Sequence, residues 1–314
     1  MSWPMAQPLT GSDQERARGE DALKHLYSRE EQGQPGTAES LAGSEGYSAA
    51  EGGRVLGVLQ SAGLATLRDG VFRLTDEGRR YALQVLRAHR LYETYLAQET
   101  GYHETRWHQR AHDKEHHLTT AEVAELAQRL GHPRFDPHGD PIPTADGHLP
   151  KREGTPLADW PVGKLARIVH IEDEPEAVFA QLAAIGLCPG LTVRVVSSTS
   201  HRVIIEVEGR QHVLAPVVAA NVTVVEAPAD AGERGQPLSQ LPAGARGRVV
   251  ALSPRCRGAE RRRLLDLGLV PGTIVETELR GPLGDPTAYR VRETVVALRR
   301  EQADLVLVEP EAGP

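Results

Sequence analysis

The residues best suited to chemistry lie between His89 and His117, a stretch that holds six of the thirteen histidines of the chain. Four ligand-type side chains recur there at i, i+4, i+7 and i+8, the spacing of one helical face. They are His108, His112, Glu115 and His116. Upstream, His89 and Glu93 form a further i, i+4 pair. Imidazole and carboxylate bind Zn, Mn and Fe in their deprotonated forms, so the stretch predicts metal binding.

Two other interpretations of this stretch are open. A histidine-rich helix can simply be a polar face in contact with solvent. The segment from His112 to His116 also satisfies H-x-x-E-H, the zinc motif of inverzincin peptidases, in which Glu115 would be the general base. A metallopeptidase is a remote alternative, because both flanks carry more candidate ligands than a hydrolase site needs.

Length and composition indicate an ordinary globular chain. At 314 residues it should form about two to four domains. No apolar run approaches the roughly 20 residues of a membrane helix, and the first residues lack the features of a signal peptide. We therefore expect a cytoplasmic protein with no membrane insertion. Cys188 and Cys256 are too few for a disulfide framework or a thiolate metal site, and we do not expect them to pair.

The first residues predict a disordered lead and two helices. The lead covers residues 1–12. Asp13 can then cap a helix that reaches about Ser28 and that carries Asp21. After a break at the following glycines and proline, Thr37 can cap a short second helix.

A third helix and a hairpin follow. Ser48 and Glu51 form a capping box at the start of the helix, which ends near Ala62. The dipeptide Asp69-Gly70 then joins two short strands, because it is a strong signal for a tight hairpin turn. Two short helices followed by such a hairpin predict a winged helix-turn-helix.

The middle of the chain predicts a helical region. A long helix opens at Thr75, the ligand-bearing helix runs from His108 to His116, and a further helix ends at Gly131. Residues 133–156 are rich in proline, glycine and aspartate, which predicts a linker.

The last half of the chain is an internal repeat. Three segments recur in order: 161–171 as 242–252, 182–193 as 264–275, and 214–226 as 297–309. Each copy combines alternating Val, Ile and Leu residues, one short helix and a Gly-Leu-x-Pro-Gly turn, so each should be a small β-barrel. Residues 228–237 link the two copies.

Three motifs carry a resemblance to a known family. They are AHRLYE at 88–93, HDKEHHLT at 112–119 and GHPRFDPHGDPIP at 131–143. In this order and spacing they resemble the diphtheria toxin repressor family of metal-dependent transcriptional repressors, including its manganese-sensing branch, over residues of about 16–226. The terminal repeats resemble the SH3-like domain of those repressors and the ferrous iron transport protein A (FeoA) family.

The resemblance implies a multidomain α+β fold and a homodimer. The implied domains are a winged helix-turn-helix over 13–75, a metal-binding and dimerisation domain over 76–140, and two FeoA/SH3-like β-barrels over 155–227 and 236–310.

The resemblance also implies two metal sites in each chain. The ligands of the primary site would be Asp21, His112, Glu115 and His116. Those of the ancillary site would be His89, Glu93, His108 and an oxygen ligand from Glu174 or Glu176. Neither set contains sulfur, which suits Mn(II) or Fe(II) and would also accept Zn(II) or Co(II) in vitro. The family's iron sensors have cysteine at the position of His112 and its manganese sensors usually glutamate, so the sequence does not choose between the two metals.

The resemblance places the helix that starts at Ser48 against operator DNA, with Arg54, Arg68 and Arg73 as further contacts. The supply of positive charge is small, because residues 1–75 hold seven basic side chains against ten acidic ones. Phosphate contacts by basic side chains supply most non-specific DNA affinity. A second hypothesis is therefore a metal-binding adaptor with a degenerate DNA-binding head, which would serve ferrous iron transport.

The main hypothesis is a non-enzymatic regulator that represses metal-uptake genes. Metal would cross-link Asp21 on the N-terminal helix to the dimerisation helix, and this cross-link would fix the position of the DNA-reading helix. Without metal, the like charges of Asp21 and Glu115 should push the DNA-reading head away.

Overall fold

The computed structural model describes Leu9 and residues 11–228, 235–281 and 284–311. Most of the predicted lead and the middle of the predicted link between the repeats therefore lie outside the described residues. The chain divides into two compact units. The first holds residues 1–95, 107–136 and 140–152, and the second holds residues 96–106, 137–139 and 153–314.

The helices of the first unit begin at side chains that can cap them. The elements are α1 (Asp13–Glu31), α2 (Ala38–Glu45), α3 (Ala49–Ser61), β1 (Ala65–Arg68), β2 (Val71–Leu74), α4 (Asp76–Glu99, whose last turn belongs to the second unit), α5 (Trp107–Glu115) and α6 (Thr120–Arg129). Thr37 and Ser48 cap α2 and α3 as predicted. Ser12, rather than the predicted Asp13, caps α1, because Glu15 completes a capping box with the serine.

A winged helix-turn-helix forms from α1–α3 and the β1–β2 hairpin. The turn residues Asp69 and Gly70 have φ angles of 50° and 77°, which a two-residue type I′ turn requires. Large aliphatic side chains form the core between the three helices: Leu23, Leu26, Leu41, Leu56 and Leu59. Leu9 is buried in the same core, so the prediction of a disordered lead is wrong at that residue.

Two adjacent glycines in α3 are expected to respond differently to substitution. A Cβ at Gly52 would lie 2.7 Å from the carbonyl oxygen of Ala38, where α2 begins, whereas a Cβ at Gly53 would meet only the Ala38 Cβ at 3.9 Å. Gly53→Ala should stabilise the protein by up to about 1 kcal/mol, because alanine is the better helix former. Gly52→Ala should destabilise it by about 1–3 kcal/mol, because the backbone must move. Urea unfolding measures both, and equal effects would contradict this account.

The segment predicted as a linker, 133–156, is partly a packed element. The backbone N–H of Ile142 donates to the carbonyl oxygen of Arg134 at 2.9 Å. The side chain of Ile142 is buried in a cluster from α4 and α6: Ala88, Leu91, Val123 and Ala127. The guanidinium of Arg90 on α4 donates to the carbonyl oxygen of Pro141 at 2.7 Å. The linker prediction is therefore wrong for this part, because the buried side chain of Ile142 and the hydrogen bond from Arg90 to Pro141 attach it to α4.

The second unit contains two copies of one sheet topology, which confirms the internal repeat. The first copy consists of β3 (Thr155–Pro156), β4 (Leu165–Ile171), α7 (Glu176–Ala184), β5 (Thr192–Ser198), β6 (Val203–Val207), β7 (Arg210–Leu214), α8 (Pro216–Ala219) and β8 (Val222–Glu226). The second consists of β9 (Gln236–Pro237), β10 (Arg246–Leu252), α9 (Gly258–Asp266), β11 (Ile274–Arg280), β12 (Thr287–Val291), β13 (Thr294–Leu298), α10 (Arg300–Ala303) and β14 (Val306–Pro310). The strand orders are β3-β8-β4-β5-β6-β7 and β9-β14-β10-β11-β12-β13.

The two sheets are antiparallel and share their irregularities. The register of β4 against β8 shifts between Ile168 and His170. The register of β10 against β14 shifts at the equivalent residues of the second copy, Val249 and Ala251. Each copy has its own hydrophobic core. The edge strands β3 and β7 do not pair, and among the described residues β9 and β13 do not either. Each copy is therefore a six-stranded β-sheet domain that does not close into a barrel among the described residues, and it holds two short helices rather than the predicted one.

Cys188 and Cys256 are buried free thiols, so the prediction that they do not pair is confirmed. Burial raises the pKa of each thiol to about 11, which keeps both protonated near neutral pH. Within the part of the chain that the structure describes, no helix combines the length and the apolar character needed to cross a membrane.

Candidate metal centre

Two helices of the first unit bring four ligand-type side chains together in what we call the primary set. α1 provides Asp21, and α5 with the turn after it provides the other three: His112, Glu115 and His116. One ligand atom of each lies within 4.8 Å of those of all the others. His116 was predicted to lie inside the helix but follows its last residue directly, because the chain turns at this point.

The separations within the primary set suit a small divalent ion. Oδ1 of Asp21 is 3.2 Å from Nε2 of His116 and 3.7 Å from Nδ1 of His112. Oε1 of Glu115 is 3.4 Å from Nε2 of His116 and 3.7 Å from Nδ1 of His112. Ligands held at about 2.0–2.2 Å from a tetrahedral ion lie roughly 3.4 Å from one another. Small side-chain movements would therefore place all four atoms around one ion.

Two atoms of the primary set lack a hydrogen bond of good geometry. Oδ1 of Asp21 and Nε2 of His116 are buried, and although they lie 3.2 Å apart, neither makes a hydrogen bond of acceptable geometry among the described residues. Buried polar atoms in folded proteins normally have a partner. A metal ion would supply it, and the nitrogen and oxygen donors of the set suit Mn(II) or Fe(II).

Glu20 is a candidate positioning residue that the sequence analysis missed. Nδ1 of His116 donates to its Oε2 at 2.6 Å, and the hydroxyl of Tyr81 on α4 donates to its Oε1 at 2.7 Å. A carboxylate on the far nitrogen of a histidine ligand fixes the ring and its tautomer, which here leaves Nε2 facing the primary set. In the sequence, the one sign of a role for Glu20 was that it directly precedes Asp21.

Lys24 is a second missed residue, and its position corrects one expectation. Its ammonium group contacts Oε1 of Glu115 and lies 3.7 Å from Oδ1 of Asp21. The predicted repulsion between these two carboxylates is therefore wrong, because a cation neutralises it. Lys24 follows Asp21 by three residues on α1, a spacing that places both side chains on one helical face.

The two histidines of the primary set have opposite pKa shifts. Burial lowers the pKa of His116, but the carboxylates around it, chiefly those of Asp21 and Glu20, outweigh burial and raise the pKa to about 9. Burial and then the ammonium of Lys24 lower the pKa of His112. His112 is therefore neutral near pH 7 and can bind a metal directly, whereas His116 must first lose a proton.

A second set, the ancillary set, contains His89, Glu93 and His108 on α4 and α5. Oε1 of Glu93 lies 3.2 Å from Nε2 of His89 and 3.5 Å from Nδ1 of His108. Nδ1 of His89 is hydrogen-bonded to Oε2 of Glu115, so the two sets are in direct contact. Burial lowers the pKa of His89, but Glu93 and Glu115 outweigh burial and raise the pKa to about 8.

Glu174 and Glu176 are the predicted oxygen ligands of the ancillary site. Both side chains are exposed, one just before α7 and the other at its first residue, and both belong to the second unit. Their metal-binding role stays a prediction.

The burial of Glu115 disfavours the peptidase hypothesis. The side chain is fully buried, and its two carboxylate oxygens contact Lys24 and His89. A general base must reach the water molecule that attacks the substrate. Glu115 cannot do so while it holds both of these partners.

The four predicted DNA-contacting residues are all exposed on the winged helix-turn-helix. Ser48 caps α3, Arg54 lies on α3, and Arg68 and Arg73 lie on the hairpin. Arg54 is the one basic side chain of α3, whose other exposed residues are Ala49, Ala50, Val58, Gln60 and Ser61. Contacts from α3 to DNA would therefore depend on Arg54, on Gln60 and on backbone and small side chains.

The raised pKa values predict opposite pH dependences for metal-free and metal-loaded protein. The ion pairs of His116 and His89 stabilise the metal-free fold below the unfolded pKa of about 6.5, and this contribution is lost as the pH rises through about 8 and about 9. Affinity for Mn(II) should rise over the same window, by up to about tenfold per pH unit for each proton displaced. Thermal melts across the window, with and without Mn(II), measure both. A metal-free melting temperature that increases with pH would contradict the assignment.

Two known families match most of this chain. The family model of the iron dependent repressor, metal binding and dimerisation domain, matches residues 75–144. The model of the FeoA domain matches twice, at residues 155–226 and 236–310.

Three known proteins show the extent of the similarity. A solved structure of a manganese-dependent transcriptional repressor in complex with manganese is 31% identical, with a TM-score of 0.61, over 67% of this chain and 100% of that one. The iron-dependent repressor IdeR of Mycobacterium leprae is 28% identical over 51% of this chain and 78% of its own length. A probable metal transport system membrane protein of Chlamydia trachomatis serovar D is 36% identical over 86 residues. The match covers 27% of this chain and 19% of the chlamydial protein. This chain therefore spans about a fifth of the length of that relative.

Proposed function

This chain belongs to the iron-dependent repressor family, and from that membership we propose that it is a metal-dependent transcriptional repressor. It would bind operator DNA as a homodimer when loaded with Mn(II) or Fe(II), and would repress metal-uptake genes. The observation that carries the proposal is the primary set, in which α1 of the winged helix-turn-helix and α5 contribute ligand-type atoms to one buried place.

The metal would be held by Asp21, His112, Glu115 and His116, and it would supply a divalent charge with fixed ligand directions. α1 packs in the core of the winged helix-turn-helix through Leu23 and Leu26. A ligand on α1 therefore ties the position of α3 to that of α5. Glu20 holds the ring of His116 ready for this role, because it accepts the Nδ1 proton.

The ancillary set would hold a second ion through His89, Glu93 and His108, with Glu174 or Glu176 as the proposed oxygen ligand. Both sets offer nitrogen and oxygen donors, which favours Mn(II) or Fe(II). The same donors accept Zn(II) or Co(II), because affinity rises along this row of metals. Relatives of this chain include manganese-dependent and iron-dependent repressors.

The DNA-binding part of the proposal rests on α3. In a dimer, the two α3 helices would enter successive major grooves about 34 Å apart, with Arg54, Arg68 and Arg73 on bases or phosphates. Such a regulator acts in the cytoplasm, where its operator is, and performs no catalysis. Few phosphate contacts predict a shallow dependence of the affinity on salt.

The experiment that tests the proposal is fluorescence anisotropy of labelled DNA, taken from upstream of the gene for this chain, with Mn(II) or with chelator. We expect Mn(II) to raise the affinity by a factor within the range of about 5 to 150 that allosteric coupling usually reaches. No binding at low salt with Mn(II) would contradict the proposal and would favour the adaptor hypothesis.

A further inference from the structure

Lys24 lies next to the place where a metal ion is expected. It is on α1, three residues after Asp21, and its side chain is 18% exposed. Its ammonium contacts Oε1 of Glu115 and lies 3.7 Å from Oδ1 of Asp21. Both oxygen atoms belong to the primary set. Lys24 is therefore a cation that reaches the same two carboxylates as the proposed ion.

The ammonium and a divalent ion would compete for these oxygen atoms. The same Oδ1 and Oε1 lie 3.2 Å and 3.4 Å from Nε2 of His116, so an ion bound to His116 would take a place between them. A metal bound at about 2.0–2.2 Å from each oxygen would then stand within a few ångströms of Nζ. Repulsion between a divalent ion and an ammonium at such a distance is strong in a partly buried site.

The ammonium also explains how four ligands, two of them anionic, stay together in the metal-free fold. Asp21 and Glu115 are buried, and two buried carboxylates this close need a compensating charge. Lys24 provides it through both contacts.

We propose that Lys24 is a tethered cation that holds the primary set together without metal, and that metal binding must displace it. This inference rests on the proposed function and adds to it that Lys24 sets the metal concentration at which the protein responds. If Lys24 only supported the fold, its replacement would leave the affinity for metal unchanged or would lower it.

The test compares full-length wild type with Lys24→Met, and uses Lys114→Met as the control. Lys114 is an exposed lysine on α5, so its loss removes the same charge without reaching the primary set. The affinity for Mn(II) is measured by competition with a fluorescent chelator, and the melting temperature is measured without metal. Lys24→Gln is measured in parallel, so that a folding defect of the methionine variant does not decide the result.

We expect both Lys24 variants to bind Mn(II) about tenfold more tightly or better, because the buried ion pair of Lys24 no longer has to be broken. Both should melt at lower temperature than wild type without metal, and Lys114→Met should match wild type in both measurements. If wild type binds Mn(II) and the Lys24 variants bind it equally or more weakly, the inference is overturned and the proposed metal site is not. Absence of Mn(II) binding in every protein would overturn the metal site and the inference together.

Discussion

The double variant His112→Ala, His116→Ala should lose tight metal binding at the primary set. We expect its affinity for Mn(II) to fall by about a thousandfold or more, because loss of one outer partner of a metal ligand already costs about 10–100-fold. Two neutral nitrogen ligands are removed here, and only two carboxylates and the competing Lys24 remain. Isothermal titration with Mn(II) should show that the tighter of two binding events disappears.

A double variant of two exposed histidines, His103→Ala with His117→Ala, is the matched control. It removes the same number of imidazoles from the same stretch and should keep both binding events. If the His112, His116 variant bound Mn(II) like the control, the ligand assignment would be wrong.

Asp21→Ala should separate metal binding from DNA binding. Asp21 is the one member of the primary set on α1, so the variant keeps three ligands on α5 and after it but loses the cross-link to the winged helix-turn-helix. We expect the variant to stay dimeric and to retain the ancillary binding event. The increase in DNA affinity on addition of Mn(II), about 5- to 150-fold in wild type, should be lost.

Asp13→Ala is the control for this prediction, because Asp13 lies on the same helix with 85% of its side chain exposed. It should respond to Mn(II) like wild type. An Asp21→Ala variant with the full metal-induced gain in DNA affinity would show that the cross-link is not the switch. In the structure, α1 contacts the turn after α5 without metal, because Glu20 and Arg16 both hydrogen-bond to His116. A metal ion would therefore add to contacts that already join these two elements.

Local sequence signals predicted most elements of the first unit. The pairs Ser48–Glu51 and Asp69-Gly70 each specify a backbone conformation through neighbouring residues, and the structure has both. The same rule applied to Ser12 would have given the correct start of α1. Ile142 was missed because a single buried side chain in a proline-rich segment has no periodicity that the sequence could reveal.

The sequence could predict which ligands share one helix, but it could not predict which side chains of other helices contact them. Spacing alone placed His112 and Glu115 on one face of α5, and the family resemblance added Asp21 from α1. The partners of these ligands depend on how α1, α4 and α5 pack, so Glu20 and Lys24 carried no signal beyond their distance from Asp21 on the helix. The resulting error concerned charge: the sequence predicted repulsion where the fold supplies a counter-ion.

The most direct test of the metal centre is an anomalous difference map from crystals of the protein grown with Mn(II). The ion predicted here gives a peak between α1 and α5, about 2.0–2.3 Å from ligand atoms of Asp21, His112, Glu115 and His116. Lys24 should then no longer contact Glu115. Anomalous peaks confined to other places, with the ammonium of Lys24 still on Glu115, would contradict the account.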